Sequence, residues 1–180
     1  MVYLIAIISA LTGFLFGFDE GIMSGVLYAI KQNFSLTDKQ TGFMMGLLPF
    51  GALLSACATG RLADWMGRRR VLYTIPVLFS MAILCICSTS SYSILCAARL
   101  LLGMSIGMSV VISPLYIAET APREIRGRLV TCFQLAITLG ILFSYAANLI
   151  NASVVTRMSW RWMFAMGLVP SAVVFIGAFF

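Results

Sequence analysis

The sequence predicts an all-α integral membrane protein, a bundle of six transmembrane helices built as two repeats of three. Two observations predict it. The 180 residues are 61% hydrophobic and 10% charged, where a soluble domain carries roughly 25% charged residues. A water-soluble fold of this length has no interior large enough to hide that much apolar surface, so the lipid bilayer is its solvent. Long continuous apolar runs recur six times with short connections. In hydrocarbon the backbone must satisfy its own hydrogen bonds, which leaves helices or closed barrels, and barrel strands would alternate polar with apolar residues instead of running apolar throughout.

The spans fall at about 3–30, 40–63, 71–88, 92–117, 127–150 and 160–180, each near the ~20 residues that a bilayer requires. The first is longer, which predicts tilt or an extension above the membrane. It has no basic n-region, and five further spans follow, so it does not read as a cleavable signal. Gly13 and Gly17 in span 1, and Gly103 and Gly107 in span 4, are Gly-x-x-x-Gly steps that let helices pack backbone to backbone. Pro49, Pro76, Pro114 and Pro170 are candidate kinks. The apolar run still continues at Phe180, as expected of a piece of a longer protein or a truncated product.

Loop charge sets the expected orientation. The 2–3 and 4–5 connections hold Arg61, Arg68, Arg69, Arg70, Arg123, Arg126 and Arg128, against Lys31, Lys39, Arg157 and Arg161 on the other side. The basic excess, with three adjacent arginines, predicts both termini in the cytoplasm. The two basic Gly-Arg connections, one after span 2 and one after span 4, are also the visible trace of the repeat, a common transporter plan.

The absence of histidine removes most zinc sites and acid–base catalysis near neutral pH. Cys57, Cys85, Cys87, Cys96 and Cys132 all lie in apolar stretches and read as small packing residues, not as disulfides or metal ligands. No nucleophile stands with a base, and the one pair of adjacent acids is Asp19 with Glu20. The expectation is therefore no enzyme, no metal or cofactor, and no nucleic-acid partner.

The connection after span 2 reads Gly60-Arg61-Leu62-Ala63-Asp64-Trp65-Met66-Gly67-Arg68-Arg69-Arg70. It resembles the Gly-x-x-x-Asp-x-x-Gly-Arg-Arg signature of the major facilitator superfamily, with Trp65 where the family usually has a cation. Further stretches resemble the sugar porters of that superfamily. They are Gly13 to Asp19, Arg99-Leu100-Leu101-Leu102-Gly103, Pro114 to Glu119, Arg126-Gly127-Arg128, Phe133-Gln134-Leu135-Ala136 and Trp160 to Phe164. The resemblance covers nearly the whole chain, in order. It implies the N-terminal six-helix half (1–180) of an alternating-access transporter for a sugar or polyol, similar to bacterial sugar–proton symporters of the inner membrane. A C-terminal six-helix half would be its partner. It also implies that Asp64, Arg68, Arg69, Arg70, Glu119 and Arg126 belong to a cytoplasmic gate network, which latches the two halves when the transporter faces outward. The plainer reading is an orientation-setting loop with local ion pairs.

Three polar side chains inside the spans stand out, because each is costly in hydrocarbon unless paired or hydrated. Asp19 lies about 24 Å along span 1, and Arg99 about 10 Å below the outer start of span 4, at a rise of about 1.5 Å per residue. The two therefore share a depth and can pair if spans 1 and 4 are neighbours. The alternative ends span 1 near residue 18 and leaves Asp19 and Glu20 at the interface. A carboxyl group beside a permanently charged guanidinium suits proton coupling, since desolvation and the cation act on it in opposite senses. The resemblance places the proton-coupling acid at Asp19 and its arginine at Arg99, which favours symport over uniport. On the residues alone, Glu20 stays open as the titrating group. Gln134 offers two donors and an acceptor, with Ile137 and Ile141 on the same helical stripe as an apolar wall. It suits sugar hydroxyls or an interhelical hydrogen bond equally, and the resemblance implies sugar binding. Phe16 can stack on a sugar ring or simply pack. The competing function is an orphan half that acts only as a membrane scaffold or dimer.

Overall fold

A computed structural model describes residues 2–153 and 160–179. Among these the helices are α1 (Val2–Asn33), α2 (Asp38–Met66), α3 (Arg68–Ser88), α4 (Tyr92–Thr120), α5 (Arg126–Ser153), α6 (Trp160–Ala165) and α7 (Leu168–Phe179). They make six membrane-length apolar spans, with α6 and α7 sharing the sixth. The predicted spans are recovered in order, most of them a few residues longer. Arg157, used in the orientation argument, lies outside the described residues.

Helix ends follow local chemistry. Thr37 and Gln40 close a capping box at the start of α2: the Gln40 amide donates to Thr37 Oγ1, and the Thr37 amide to Gln40 Oε1 at 3.0 Å. Lys31, in the last turn of α1, pairs with Asp38, in the first turn of α2, at 2.5 Å, so each charge suits its helix dipole. The connection from α2 to α3 corrects the sequence reading. Gly60 to Arg70 was expected as a loop, yet all of it is helical except Gly67. Gly67 has φ 89° and ψ 144°, a conformation natural only to glycine, so one residue makes the whole turn.

The sixth span is also not the single helix expected over 160–180. It breaks at Met166 and Gly167, one turn before Pro170. Proline has no N–H to give the carbonyl four residues back, and its ring crowds that carbonyl. Here that carbonyl belongs to Met166, and it accepts instead from the Val169 amide at 3.2 Å, while the Gly167 amide donates to Phe164 at 2.9 Å.

The repeat of three is plain in the packing. The two most extensive helix contacts are α1 with α5 and α4 with α2, which exchange when spans 1, 2, 3 are matched to 4, 5, 6. Both are glycine seams. A Cβ on Gly17 would lie 1.9 Å from the Ile137 carbonyl oxygen, and one on Gly103 would lie 2.1 Å from that of Leu48. Gly140 in α5 meets the Phe14 carbonyl, and Gly51 in α2 meets that of Leu100, each at 2.4 Å. The apolar stretches of α1 and α4 are each 61% buried, while those of α2 and α5 are 22% and 28% buried. So α1 and α4 form the centre of the bundle. Their buried side chains, with Phe79 and Ile83 of α3 and Phe164 of α6, make its main core.

Candidate functional site

Asp19 and Arg99 meet where α1 crosses α4. Because α1 continues unbroken to Asn33, Asp19 lies inside the span and not at its end. Both side chains are only 2% exposed, and Arg99 Nη1 donates to Asp19 Oδ2 at 3.3 Å. Removing two opposite charges from water together is tolerable, whereas removing either alone costs several kcal/mol. The pair forms one wall of a cleft of about 180 Å³, which Glu20, Met23, Met45, Leu48 and Pro49 also line. Buried charge therefore stands at the edge of an open cleft. Glu20 is exposed, about 100° round the helix from Asp19, so of the two acids Asp19 is the one in contact with the guanidinium.

Arg99 is held loosely for a buried guanidinium. It has one long bond to the carboxylate instead of a bidentate fork. Its Nη2 points at the Met23 sulfur, a weak acceptor, and its Nε is buried without a hydrogen-bond partner. The Phe164 ring lies under it, with 5.0 Å from Cζ to the ring centroid. Met23 was legible in principle as the residue four after Asp19 on the same helical face. Phe164 was not, because it arrives from α6.

The four residues assigned to the solute wall divide. Gln134 is exposed, and Ile141 is half-buried. Ile137 is buried in the seam where its carbonyl abuts Gly17. Phe16 is half-buried and packs against the main core. Gln134 and Ile137 thus differ in environment despite sharing a stripe, since the stripe straddles the edge of the α1–α5 contact. The sequence reading missed Asn148, whose Nδ2 donates to the Gly21 carbonyl at 2.8 Å across the same seam. Its spacing of fourteen from Gln134 on α5 was the available signal.

At the opposite end of the bundle, Arg68 gathers two acids. Its Nη1 donates to Asp64 Oδ1 at 2.6 Å and to the Ala63 carbonyl at 3.0 Å, and its Nε donates to Glu119 Oε2 at 3.1 Å. Arg68 to Arg70 sit in the first turn of α3, where the helix dipole disfavours cations. Asp64 and Glu119 offset this at Arg68. Arg69 instead donates to the Tyr73 hydroxyl at 3.1 Å, and Arg70 is exposed. Arg126 Nη2 donates to the carbonyl of Ala121, the cap residue of α4, at 3.3 Å, a position that suits a cation. So Asp64, Arg68 and Glu119 come together, while Arg126 serves the end of α4. Trp65 is 83% exposed and takes no part in the cluster. Cys57, Cys85 and Cys132 are exposed, so these three lie on the outside of the bundle and not in its packing.

Comparison with known proteins identifies the family. The family model described as "Sugar (and other) transporter" matches residues 5–180. The glucose transporter GlcP of Staphylococcus epidermidis is 36% identical over 178 residues, which is 99% of this chain and 39% of that protein. The galactose-proton symporter of Escherichia coli is 33% identical over 180 residues, 100% of this chain and 38% of that one. Among solved structures, the major facilitator superfamily proton:xylose symporter XylE with bound 6-bromo-6-deoxy-D-glucose superposes with a TM-score of 0.90 at 25% identity. That match covers 99% of this chain and 44% of that one. The inward-open form of XylE from E. coli gives a TM-score of 0.89 at 27% identity, over 99% of this chain and 48% of that one. The chain spans less than half the length of these relatives. Its six-span bundle is one half of a major facilitator fold, and the chain belongs to the sugar (and other) transporter family.

Proposed function

We propose that this bundle is the N-terminal half of a proton-coupled symporter for a sugar or polyol, working by alternating access with a C-terminal six-helix half. The observation that carries the proposal is the Asp19–Arg99 pair, fully buried yet forming one wall of an open cleft. A buried acid whose ionic contact, among the described residues, is one 3.3 Å bond can be neutralised by a proton, and the guanidinium is then released to move. A solute-sized space beside it gives that movement something to couple to. Relatives described as a galactose-proton symporter and a proton:xylose symporter support this reading.

The remaining roles follow from position. Gln134, exposed on α5, presents its amide to sugar hydroxyls, with Ile141 and Phe16 as apolar neighbours and Ile137 fixing the helix behind them. Asp64, Arg68 and Glu119 form the part of the cytoplasmic latch that this half supplies, with Arg69, Arg70 and Arg126 flanking it. The setting is a bacterial inner membrane with both termini in the cytoplasm, in keeping with the basic α2–α3 and α4–α5 connections. Asp19→Asn in a full-length transporter carrying this half should abolish proton-driven accumulation of labelled sugar while exchange across proteoliposomes persists. Wild-type accumulation by that variant would sink the assignment.

A further inference from the structure

The sixth span brings one residue to the ion pair that the proposed switch has not used. Phe164 is 2% exposed and lies in the last turn of α6, directly before the break at Met166 and Gly167. Its ring is 5.0 Å from the Arg99 guanidinium carbon. On its other side Trp160 meets it edge-on, with centroids 6.4 Å apart at 84°. Trp160 packs in turn on Phe34 at 6.0 Å and lies under the Arg161 guanidinium at 4.8 Å. The ring is therefore fixed from behind, with one face turned to the buried cation.

The guanidinium needs such a partner. Besides Asp19 it has the Met23 sulfur and an unpartnered Nε. Once Asp19 takes up a proton, the charge that balanced Arg99 is gone while Arg99 remains charged. A desolvated cation over an aromatic face is one of the few arrangements that hold a charge with no counter-ion. Among the described residues, no second acid contacts Arg99. The other titratable group on the cleft is the exposed Glu20, and α2 contributes only Met45, Leu48 and Pro49. On α6, Arg161 is turned to Trp160 and donates to the Thr89 carbonyl at 2.9 Å. From α3, Cys87 donates to the Arg161 carbonyl, and on α4 Cys96 sits one turn before Arg99.

We propose that Phe164 is a positioning residue of the proton switch: its ring face holds the Arg99 guanidinium while Asp19 is neutral, and so ties proton uptake to the short α6 segment. The inference rests on the symport reading above. Because the helix is interrupted by the turn at Met166 and Gly167, a shift of α6 relative to α7 would carry the ring toward or away from Arg99. Without the ring, neutral Asp19 leaves the guanidinium stranded, so protonation requires more acid.

The test replaces Phe164 with mono-, di- and trifluorophenylalanine in a full-length transporter carrying this half. Fluorination drains the ring's negative face at nearly constant volume. The pH of half-maximal sugar accumulation is read in proteoliposomes. It should move stepwise to the acid side, by about one pH unit for Phe164→Leu, a tenfold change in proton concentration appropriate to losing a desolvated cation–π contact, and Phe164→Trp should restore it. Superposable profiles across the fluorinated series, a shift with Phe164→Leu alone, or a shift to the alkaline side would each overturn the proposal, the second by showing a role in packing volume only. Asp19→Asn in the same assay separates the two readings. If that variant still accumulates sugar, the symport switch fails; if it does not and the series is flat, only the role of Phe164 fails.

Discussion

A buried ion pair is weak evidence for stability, because the desolvation of both charges consumes most of their attraction. Asp19 and Arg99 fit that description: their contact is long, single and surrounded by poor acceptors. An Arg and an Asp kept in a bilayer on such terms point to a working role and not a structural one. Gln134 is the converse case, a strong hydrogen-bonding group left exposed on the bundle, and its proposed role is sugar binding. Gln134→Ala in the full-length transporter should raise the apparent sugar Kd about tenfold, the effect of losing one or two neutral hydrogen bonds, read by tryptophan quenching or isothermal titration. Unchanged affinity with reduced expression would return Gln134 to a packing role.

At the scale of elements, the glycine seams fix the two helix pairs. Where a Cβ would strike backbone there is no side chain to yield, so α1 and α5 must separate to admit it. Gly17→Ala should therefore destabilise the bundle by about 1–3 kcal/mol, the usual effect of overpacking, seen as a lower Tm in detergent. Gly46→Ala on α2 is the matched control. A Cβ there meets nothing within 4 Å, so the gain in helix propensity, up to about 1 kcal/mol, should leave Tm unchanged or slightly raised. Equal effects at both positions would mean that the seam is not the cause. The broken sixth span belongs to this scale too. Pro170 is responsible for the break, and the break is what lets α6 carry its own aromatic column.

For the whole molecule, the distribution of exposed apolar groups is informative. α2 shows Phe43, Phe50, Leu53 and Leu54 outward, and α5 shows Leu135, Leu139, Leu142 and Phe143. With α1 and α4 at the centre of the bundle, these faces meet either lipid or a second half. In the proposed cycle, alternating access resides in how this bundle rocks against its partner half, and the Asp64–Arg68–Glu119 cluster is proposed to bias the rocking. Glu119→Gln should shift the full-length transporter toward its cytoplasm-open state. The shift should appear as faster labelling of a cysteine introduced in the cleft from the cytoplasmic side, in a background lacking the native cysteines. Labelling rates equal to wild type would confine Glu119 to a local ion pair.

The sequence by itself determined the solvent, the helices and their order, because apolar runs of bilayer length leave the backbone no alternative. It also marked the residues whose presence in hydrocarbon demands a reason: depth along the helix placed Asp19 and Arg99 at one level before any contact was known. Local chemistry at Gly67 and Pro170 was visible as well, though not that the first would be the entire turn or that the second would sever the span a turn earlier. What only the tertiary structure decided is which faces meet. Helical periodicity gives the direction of a side chain around its own axis but not the neighbour in that direction. So the union of Asp19 with Arg99, the glycine seams that exchange under the repeat, the separation of Gln134 from Ile137 and the Phe164 ring beneath the guanidinium all depend on contacts between residues distant in the chain, and no one helix specifies them.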